Sequence, residues 1–371
     1  MKTCSIYIHI PFCKSKCKYC AFLSFVNHLH FSHIYIEKVK QELLKHKPKL
    51  KNKVISSIYI GGGTPSLIDA KDIESLLKFI YENCSLQKNI EITLEANPDS
   101  VTFDKLQIWK NAGINRISIG LQSLDDEMLK LLGRVHTFGQ YEKAMKLVKE
   151  AGFTNISTDI LLGLPNESKQ SIKQTISEIS KMGLTHISAY GLQVENGTKL
   201  FDDVQSGKIK LPTEEQAVEI YNTAVATLAK LGYKRYEISN FCKSGYKSKH
   251  NQNYWNRGEY LGLGTGAYSF IDGEHYENTT SLEDYLNKPY RRKNIEKENL
   301  KTKIEETIML ALRTEVGLDL QKFKKDFSID FEKEFETQIA KFKSKKLIKI
   351  VKNHLKITNF EISNQIIADF F

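Results

Sequence analysis

Short hydrophobic segments alternate with amphipathic ones over the first half of the chain. The short segments are rich in β-branched or aromatic residues and are bounded by Gly, Pro or Asn, which is typical of strands. In the longer segments apolar residues recur at helical spacing, and Asp72 and Thr102 stand where helix N-caps are expected. Gly113, Gly152 and Gly183 stand where helices should end. The predicted strands are Ser5–Ile10, Val54–Ile60, Ile90–Glu95, Arg116–Ile119, Ile156–Leu161 and His186–Leu192, and the helices include Ile73–Tyr81, Phe103–Asn111, Tyr141–Ala151 and Ser171–Met182.

Six strand–helix units in succession predict a parallel sheet with outer helices, either a barrel or an open doubly wound sheet. After residue 195 the pattern changes, and a helix is predicted over Glu214–Leu231. The strongly charged stretch Lys288–Lys301 is typical of a linker. Beyond it, two helical patterns precede two short strands, Leu347–Val351 and Leu355–Thr358. This C-terminal part therefore predicts a winged-helix-like α+β module of about 70 residues.

Composition narrows the classes of function. With 41% hydrophobic and 26% charged residues over 371 positions, the chain is globular, and a disordered or fibrous protein is excluded. The formal charge of +10 suits an acidic ligand, a phosphate or nucleic acid and does not select among them. The sequence has no apolar run of eighteen residues and no secretory signal at its start, so we expect a cytoplasmic protein without a membrane span.

Three of the six cysteines crowd into eight positions, Cys13-Lys-Ser-Lys-Cys17-Lys-Tyr-Cys20, just after the first predicted strand. Three thiolates on one loop can hold three irons of a [4Fe–4S] cube and leave the fourth iron open to a ligand. The lysines between and beside them would offset the negative charge of the cluster. Zinc is the alternative, but structural zinc sites usually take four ligands from two C-x2-C pairs, and a second pair is missing from the sequence. Ordinary structural cysteines are the simpler alternative.

The stretch Tyr7-Ile-His-Ile-Pro-Phe-Cys13, followed by Cys17 and Cys20, resembles the N-terminal signature of radical S-adenosylmethionine (SAM) enzymes. It is most similar to the HemN-like group, which includes the oxygen-independent coproporphyrinogen dehydrogenase. The resemblance implies an incomplete (β/α)6 barrel with a [4Fe–4S] cluster at the C-terminal mouth of its strands and a small C-terminal module. It also implies that the open iron chelates the amino and carboxylate groups of SAM. The remaining cysteines are interpreted as ordinary ones: Cys4, Cys84 and Cys242.

A glycine-rich turn, Ile60-Gly-Gly-Gly-Thr-Pro-Ser66, follows the second predicted strand and precedes a helix. Glycines at the end of a strand let the backbone approach a ligand closely, although a simple tight turn is equally compatible with this pattern. Three polar residues, Glu95, Gln122 and Asp159, lie among apolar neighbours near later strands, where a buried polar group needs a partner. Gln122 could instead bond to the backbone and Asp159 could cap a helix.

The resemblance assigns these residues to SAM. Tyr19 and Phe22 flank the last motif cysteine and are expected to shield the cluster or stack on adenine. For Arg134, the alternative to a SAM contact is a solvent-exposed arginine at the end of a helix. Near the methionine end of SAM the resemblance implies Tyr7, Gly62, Gly63, Thr64 and Glu95, with Tyr268 in a second glycine loop; near the nucleoside or a second SAM it implies Gln122, Arg134 and Asp159.

Two features distinguish the chain from the dehydrogenase. Phe22 stands where the dehydrogenase has a further Cys, and the motif begins too early for the long N-terminal extension of that enzyme. The motif His250-Asn-Gln-Asn-Tyr254-Trp255 resembles the signature of the HemN-like haem chaperones, the HemW group. By that resemblance, His250 would ligate haem iron and the two aromatic residues would flank the macrocycle. A packed histidine with one hydrogen bond is the alternative.

The sequence thus predicts a haem chaperone with a [4Fe–4S] cluster and SAM that delivers haem to haem-requiring proteins such as respiratory enzymes, either as a monomer or as a homodimer. A coproporphyrinogen dehydrogenase is the first alternative, disfavoured by Phe22. A radical SAM enzyme that modifies RNA is the second, disfavoured because the basic residues are spread over the chain, so nucleic acid is not an expected partner. The predicted domains are a core barrel at 1–235, a segment that completes it at 236–290, and a C-terminal domain at 291–371.

Overall fold

The first half of the chain repeats a strand-and-helix unit six times, as predicted. The computed structural model describes residues 2–371, and in it the six long strands of this half are largely buried beneath helices. The elements are β1 (Lys2–Ile10), β2 (Phe12–Cys13), β3 (Phe25–Val26), α1 (Ser32–Leu50), β4 (Lys53–Gly62), α2 (Ala70–Asn83), β5 (Leu86–Ala96), α3 (Phe103–Asn111), β6 (Arg116–Gln122), α4 (Asp126–Leu131), α5 (Phe138–Glu150), β7 (Asn155–Leu162), α6 (Lys169–Ser180) and β8 (His186–Gly191).

The middle of the chain extends this sheet at both edges. Its elements are α7 (Lys199–Gln205), α8 (Glu214–Lys230), β9 (Lys234–Arg235), β10 (Asn240–Cys242), α9 (Lys249–Trp255), β11 (Glu259–Leu263), β12 (Tyr268–Ile271), β13 (Glu274–Asn278), α10 (Leu282–Asn287) and β14 (Arg292–Lys297). The resulting twelve-stranded sheet has the order β14-β13-β12-β11-β1-β4-β5-β6-β7-β8-β10-β9. Its seven central strands, β11 to β8 in that order, are parallel. The two edge strands, β14 and β9, are not paired with each other, so the predicted incomplete barrel is confirmed.

The residues of the central strands alternate between two environments. On β6, Arg116, Ser118 and Gly120 face a cavity inside the curved sheet, while Ile117 and Ile119 pack in the main hydrophobic core. Such alternation is required because successive side chains of a strand point to opposite faces. The inner face of the curved sheet is therefore polar, and the apolar side chains on its outer face pack against the helices.

A second hydrophobic core lies in the C-terminal module. Its buried residues include Ile308, Phe323, Phe331 and Leu355. Its strands form a separate three-stranded sheet in which β17 (His354–Ile357) lies between β15 (Leu318–Asp319) and β16 (Ile348–Val351). This matches the predicted small α+β module, while the domain bounds at 235 and 290 stay predictions. The elements are α11 (Leu300–Leu312), β15 (Leu318–Asp319), α12 (Leu320–Phe327), α13 (Phe331–Glu334), α14 (Glu336–Ser344), β16 (Ile348–Val351), β17 (His354–Ile357) and α15 (Ser363–Ala368).

Two local predictions are wrong. The cap of α2 is Asp69, which accepts a hydrogen bond from the Lys71 N–H, whereas Asp72 lies inside the helix and bonds the ring of His33 at 2.7 Å. The predicted linker Lys288–Lys301 contains β14, which pairs with β13 at the edge of the large sheet. Its charged side chains suit an edge strand because they oppose pairing with another chain. Of the helices in residues 2–371, none has the length and apolar composition needed to cross a bilayer.

Candidate functional site

The three motif cysteines lie on the loop after β1, at the carboxyl end of the parallel strands. Cys13 ends β2, and Cys17 and Cys20 follow in the irregular segment before β3. All three thiols are free, and they line the main cavity, which has a volume of about 510 Å³. The backbone N–H of Lys18 donates to the carbonyl of Leu132 at 2.9 Å and so ties the loop to the end of α4. The loop thus presents three thiols to the polar interior of the sheet.

The three sulfur atoms are not gathered around one point as a single ion would require. Among residues 2–371, the Sγ atoms of these cysteines are not all within 4.8 Å of one another. One tetrahedral zinc with Zn–S bonds of about 2.3 Å would bring its sulfurs to roughly 3.8 Å. A cube in which each thiolate takes its own iron separates them further. The donor set therefore fits a [4Fe–4S] group, and the zinc alternative is disfavoured.

Positive charge reaches the cysteine loop from a residue other than the loop lysines. The Lys18 ammonium forms an ion pair with Asp203 at 3.1 Å, so less of its charge is available than expected. Arg134 places Nη1 3.6 Å from Cys17 Sγ, and its Nη2 donates to Asn97 Oδ1 at 2.8 Å. Because this guanidinium lies within the site, the alternative of a solvent-exposed helix-end Arg134 is wrong.

The glycine turn after β4 lies directly against the cysteine loop. A Cβ at Gly63 would lie 2.8 Å from the Phe12 carbonyl and 3.0 Å from Cys13 Sγ. Gly62 has φ +114°, and a Cβ there would lie 2.6 Å from the ring of His9. The turn therefore requires glycine for close packing as well as for its backbone conformation. Its third predicted contact, Thr64, has Oγ1 3.6 Å from Cys13 Sγ.

We expect Gly63→Ala to lower the iron and sulfide content of the reconstituted protein by at least half. The added methyl group has to displace the Cys13 sulfur or the Phe12 carbonyl, because both lie closer than carbon atoms normally approach. Gly191→Ala is the matched control, since a Cβ there meets nothing within 4 Å. Iron and sulfide analysis of both variants checks the expectation, and an unaffected Gly63→Ala protein would contradict it.

Glu95 ends β5 with its carboxylate inside the main cavity. Oε1 accepts a hydrogen bond from the Tyr59 hydroxyl at 2.7 Å, and Oε2 accepts one from the Gly62 N–H at 3.2 Å. Burial raises the pKa of Glu95 to about 7, while the hydrogen bonds from Tyr59 and Gly62 oppose the rise. The carboxylate is thus fixed beside the glycine turn, where it can accept a further hydrogen bond from a ligand.

The opposite wall of the cavity carries Gln122 and Asp159. Gln122 has φ +72°, in the left-handed region, at a register shift between β6 and β7. This conformation is unfavourable for a residue other than glycine and is typical of functional sites. The pKa of Asp159 is raised by burial, and its carboxylate accepts a bond from Ser118 Oγ at 3.5 Å. Both predicted residues therefore face the same space as Glu95.

The two aromatic residues of the cysteine loop differ in their surroundings. Tyr19 lines the cavity and packs against the small apolar cluster of Leu132, Leu161 and Leu164, and burial raises its pKa. Phe22 also lines the cavity, but it is 69% exposed at the rim. Tyr19 is therefore the one positioned to cover a cluster, and Phe22 lies at the entrance.

Arg116 is a site residue that the sequence analysis missed. It begins β6, is 2% exposed and lines the main cavity. Its Nε has no hydrogen-bond partner within residues 2–371, and none of the ion pairs in that range includes it. Its charge acts on the two carboxyl groups of the cavity: burial raises the pKa of Glu95 and of Asp159, and the nearby Arg116 opposes both rises. The arginine at the start of an otherwise apolar strand was the only signal in the sequence.

Two predicted SAM contacts do not line this cavity. Tyr7 is turned toward His9, with its hydroxyl 3.0 Å from Nδ1, and Tyr59 on the next strand lines the cavity instead. Tyr268 is 63% exposed on β12, where its pKa is raised by a hydrogen bond with Glu277. Tyr268 begins β12, which pairs antiparallel with β11, and its assignment to SAM stays a prediction.

His250 is buried in the interior beneath Tyr59. Its Nδ1 is 2.9 Å from Ser57 Oγ and its Nε2 is 3.0 Å from the Tyr254 hydroxyl, while Glu91 accepts a hydrogen bond from its backbone N–H. Burial lowers its pKa to about 3, so the ring is neutral. Both ring nitrogens thus lie within hydrogen-bond distance of hydroxyl groups, and ligation of haem iron by His250 stays a prediction. The packed alternative fits, and α9 closes the lower end of the cavity.

Comparison with known proteins places this site in a family. The Radical SAM superfamily matches residues 7–179, and the HemN C-terminal domain matches residues 299–359. A Lactococcus lactis protein named heme chaperone HemW is 34% identical over 370 residues, which cover 99% of this chain and 97% of that protein. The chain belongs to the HemW family of radical SAM proteins. Membership of the radical SAM superfamily implies a [4Fe–4S] cluster and SAM as cofactors.

Other relatives agree with the HemW assignment. The heme chaperone HemW of Bacillus subtilis is 32% identical over 349 residues, covering 93% of this chain and 92% of that protein. The Escherichia coli protein of the same name is 36% identical over 279 residues, covering 74% and 73%. The structure of E. coli coproporphyrinogen III oxidase (HemN), a radical SAM enzyme, superimposes with a TM-score of 0.86 at 21% identity, covering 100% of this chain and 90% of that one. At that identity the match shows a shared fold.

Proposed function

We propose that this protein is a haem chaperone that carries a [4Fe–4S] cluster and SAM and delivers haem to haem-requiring proteins such as respiratory enzymes. The observation that carries the proposal is the similarity to relatives named heme chaperone HemW, which in one case extends over 99% of the chain. We propose that this delivery takes place in the cytoplasm.

We propose that different residues of the main cavity bind the cluster, the amino-acid end of SAM and its nucleoside. Cys13, Cys17 and Cys20 hold the cluster, which when bound supplies an electron and an open iron. The glycine turn admits the amino-acid end of SAM without a Cβ in the way, and Glu95 accepts a hydrogen bond from its amino group. The polar wall toward β6 and β7 is left for the nucleoside: Gln122, Arg134 and Asp159.

Phe22 supports a chaperone over a dehydrogenase. It takes the place of the additional Cys of the dehydrogenase that the sequence resembles, and it lies at the rim of the main cavity. A phenyl ring neither ligates a metal nor donates a hydrogen atom readily. The proposal therefore assigns haem transport to this chain and not the oxidative decarboxylation of coproporphyrinogen.

The reconstituted protein is expected to bind haem and not to oxidise coproporphyrinogen III. Incubation with SAM, a reductant and coproporphyrinogen III should yield no protoporphyrinogen. The same preparation, loaded with haem, should transfer it to a haem-depleted cytochrome subunit, as followed by the absorption of the acceptor. Phe22→Cys is a useful comparison, because it restores the missing thiol alone. Turnover by the unaltered protein would establish the dehydrogenase instead, and failure to take up haem would refute the chaperone function.

A further inference from the structure

A second cleft lies between α9 and the C-terminal module and shares no lining residue with the main cavity. Its volume is about 340 Å³. One wall is formed by the motif helix and the segment before it, including Gln252 and Trp255. The other wall is formed by β15, α12 and β17 of the module. The cleft therefore lies on the side of the family motif opposite to the buried His250.

The walls of this cleft combine aromatic and aliphatic surface. Trp255 lies on the motif side, and Val316, Leu318 and Phe323 lie on the module side. Val316 is 53% exposed, which leaves apolar surface uncovered inside a concave site. Concave sites with apolar walls and a few polar groups are the usual places for ligands of low molecular weight. Leu318 and Phe323 are mostly buried in the second core, so Val316 on the module side and Trp255 on the motif side present apolar surface to a ligand.

His354 supplies a metal-binding nitrogen to the same cleft. Its Nδ1 lies 2.9 Å from the carbonyl oxygen of Lys352, so the Nδ1–H donates there and Nε2 keeps its lone pair. The nearest carboxylate oxygen, on Asp319, is 3.9 Å from Nε2, which is too far for a hydrogen bond. A histidine fixed through one ring nitrogen by a backbone carbonyl is the usual arrangement of metal-ligating imidazoles. In this respect His354 has what His250 lacks.

Positive charge also borders the cleft. Lys247 lines it from the motif side, with Nζ 5.9 Å from the centre of the Tyr236 ring, and none of the ion pairs in residues 2–371 includes it. Lys322 lines the module side and is paired with Asp326 at 2.6 Å. An ammonium without a carboxylate partner can pair with a carboxylate of a ligand.

We propose that this cleft is the haem site, with His354 Nε2 as the axial ligand, Trp255 against the macrocycle and Lys247 on a propionate. That the ligand is haem rests on the proposed function, and that haem binds here rests on the residues of the cleft. Since the cleft opens between two parts of the chain, an edge of the macrocycle stays exposed, as transfer to another protein requires. The cluster and SAM occupy the separate main cavity, so haem and SAM are bound by one molecule at the same time.

The test is a haem titration of the cluster-loaded protein, followed by absorption and electron paramagnetic resonance. His354→Ala is expected to shift the Soret band and to weaken haem binding at least about tenfold, because the axial bond is lost. His354→Met should retain haem with a different spectrum, and Lys247→Ala should weaken binding without changing the axial signature. His30→Ala, at an exposed histidine of the cysteine-loop side, is the matched control and should behave like the unaltered protein.

The outcomes separate the site from the function. Unchanged spectrum and affinity in His354→Ala, with haem still bound by the unaltered protein, would overturn the site and leave the chaperone function in place. Absence of haem binding by the unaltered protein would refute the function itself. Iron content and far-ultraviolet circular dichroism identify a variant that has failed to fold, and in that case the spectrum of His354→Met decides. If haem bound to His354→Met has the same spectrum as haem bound to the unaltered protein, His354 is not the axial ligand.

Discussion

Replacing any one of Cys13, Cys17 and Cys20 by alanine is expected to abolish the iron–sulfur cluster almost completely. Three thiolates from one loop hold three irons, so the loss of one leaves two ligands for the whole cube. The loop has no substitute, because the other three cysteines lie outside it. The measurement is the iron and sulfide content after anaerobic reconstitution, together with the absorption of the cluster. Full cluster content in any of the three variants would remove that residue from the ligand set.

The other cysteines provide matched controls. Burial raises the pKa of Cys4 to about 12 and that of Cys84 to about 11, and neither residue lines the main cavity. Burial also raises the pKa of Cys242, which lies on β10 at the far edge of the sheet. Alanine at each of these positions is expected to leave the iron content unchanged. A loss of iron there, with the fold intact, would point to a ligand outside the loop.

The central sheet could be predicted because its signals are local. Each of the six strands is a short apolar run, and the residues between them have helical periodicity, so order and direction follow from the requirement for crossover helices. The seventh parallel strand, β11, was not predicted. It lies beside β1 through pairs such as Tyr7 with Gly262, and such a contact between distant segments leaves no periodic trace in either. The stretch that forms β14 predicts a linker because it is charged and has no buried apolar face.

The site shows the same division. The motif cysteines, Gly63 and Glu95 follow strands directly, so their position at the carboxyl edge of the sheet followed from the topology. Arg116 escapes the sequence analysis because only the fold reveals that it is buried and lines the main cavity beside Glu95 and Asp159. The motif predicts haem ligation by His250, and only the fold reveals that Ser57 and Tyr254 lie within hydrogen-bond distance of its ring nitrogens. A sequence shows which donors are present, and packing decides which of them remain free.

Glu95→Gln is expected to weaken SAM binding at least about tenfold at pH 7.5. A hydrogen bond to a charged group contributes about 1.5–3 kcal/mol, which corresponds to roughly 10- to 150-fold in affinity. The amide keeps the size of the side chain and can still accept a bond from the Gly62 N–H, so the glycine turn is preserved. Calorimetric titration of the cluster-loaded protein with SAM measures the change. Glu82→Gln, on the exposed face of α2, is the control and should bind like the unaltered protein.

The pH dependence gives this prediction a second, independent measurement. Burial raises the pKa of Glu95 to about 7, so the carboxyl group is mostly protonated at pH 6 and mostly ionised by pH 7.5. Ionisation of Glu95 should therefore raise SAM affinity several-fold over this interval, in addition to the rise that comes from deprotonation of the SAM amino group, whose ordinary pKa is about 7.7–8.0, before it binds iron. The stability of the ligand-free protein depends on pH in the direction opposite to the affinity for SAM. Because the folded pKa lies above the unfolded value of 4.5, stability falls as the pH rises from about 4.5 through 7. In Glu95→Gln the fall in stability should be absent and the rise in affinity should be several-fold smaller than in the unaltered protein, and an equal rise would show that another group controls it.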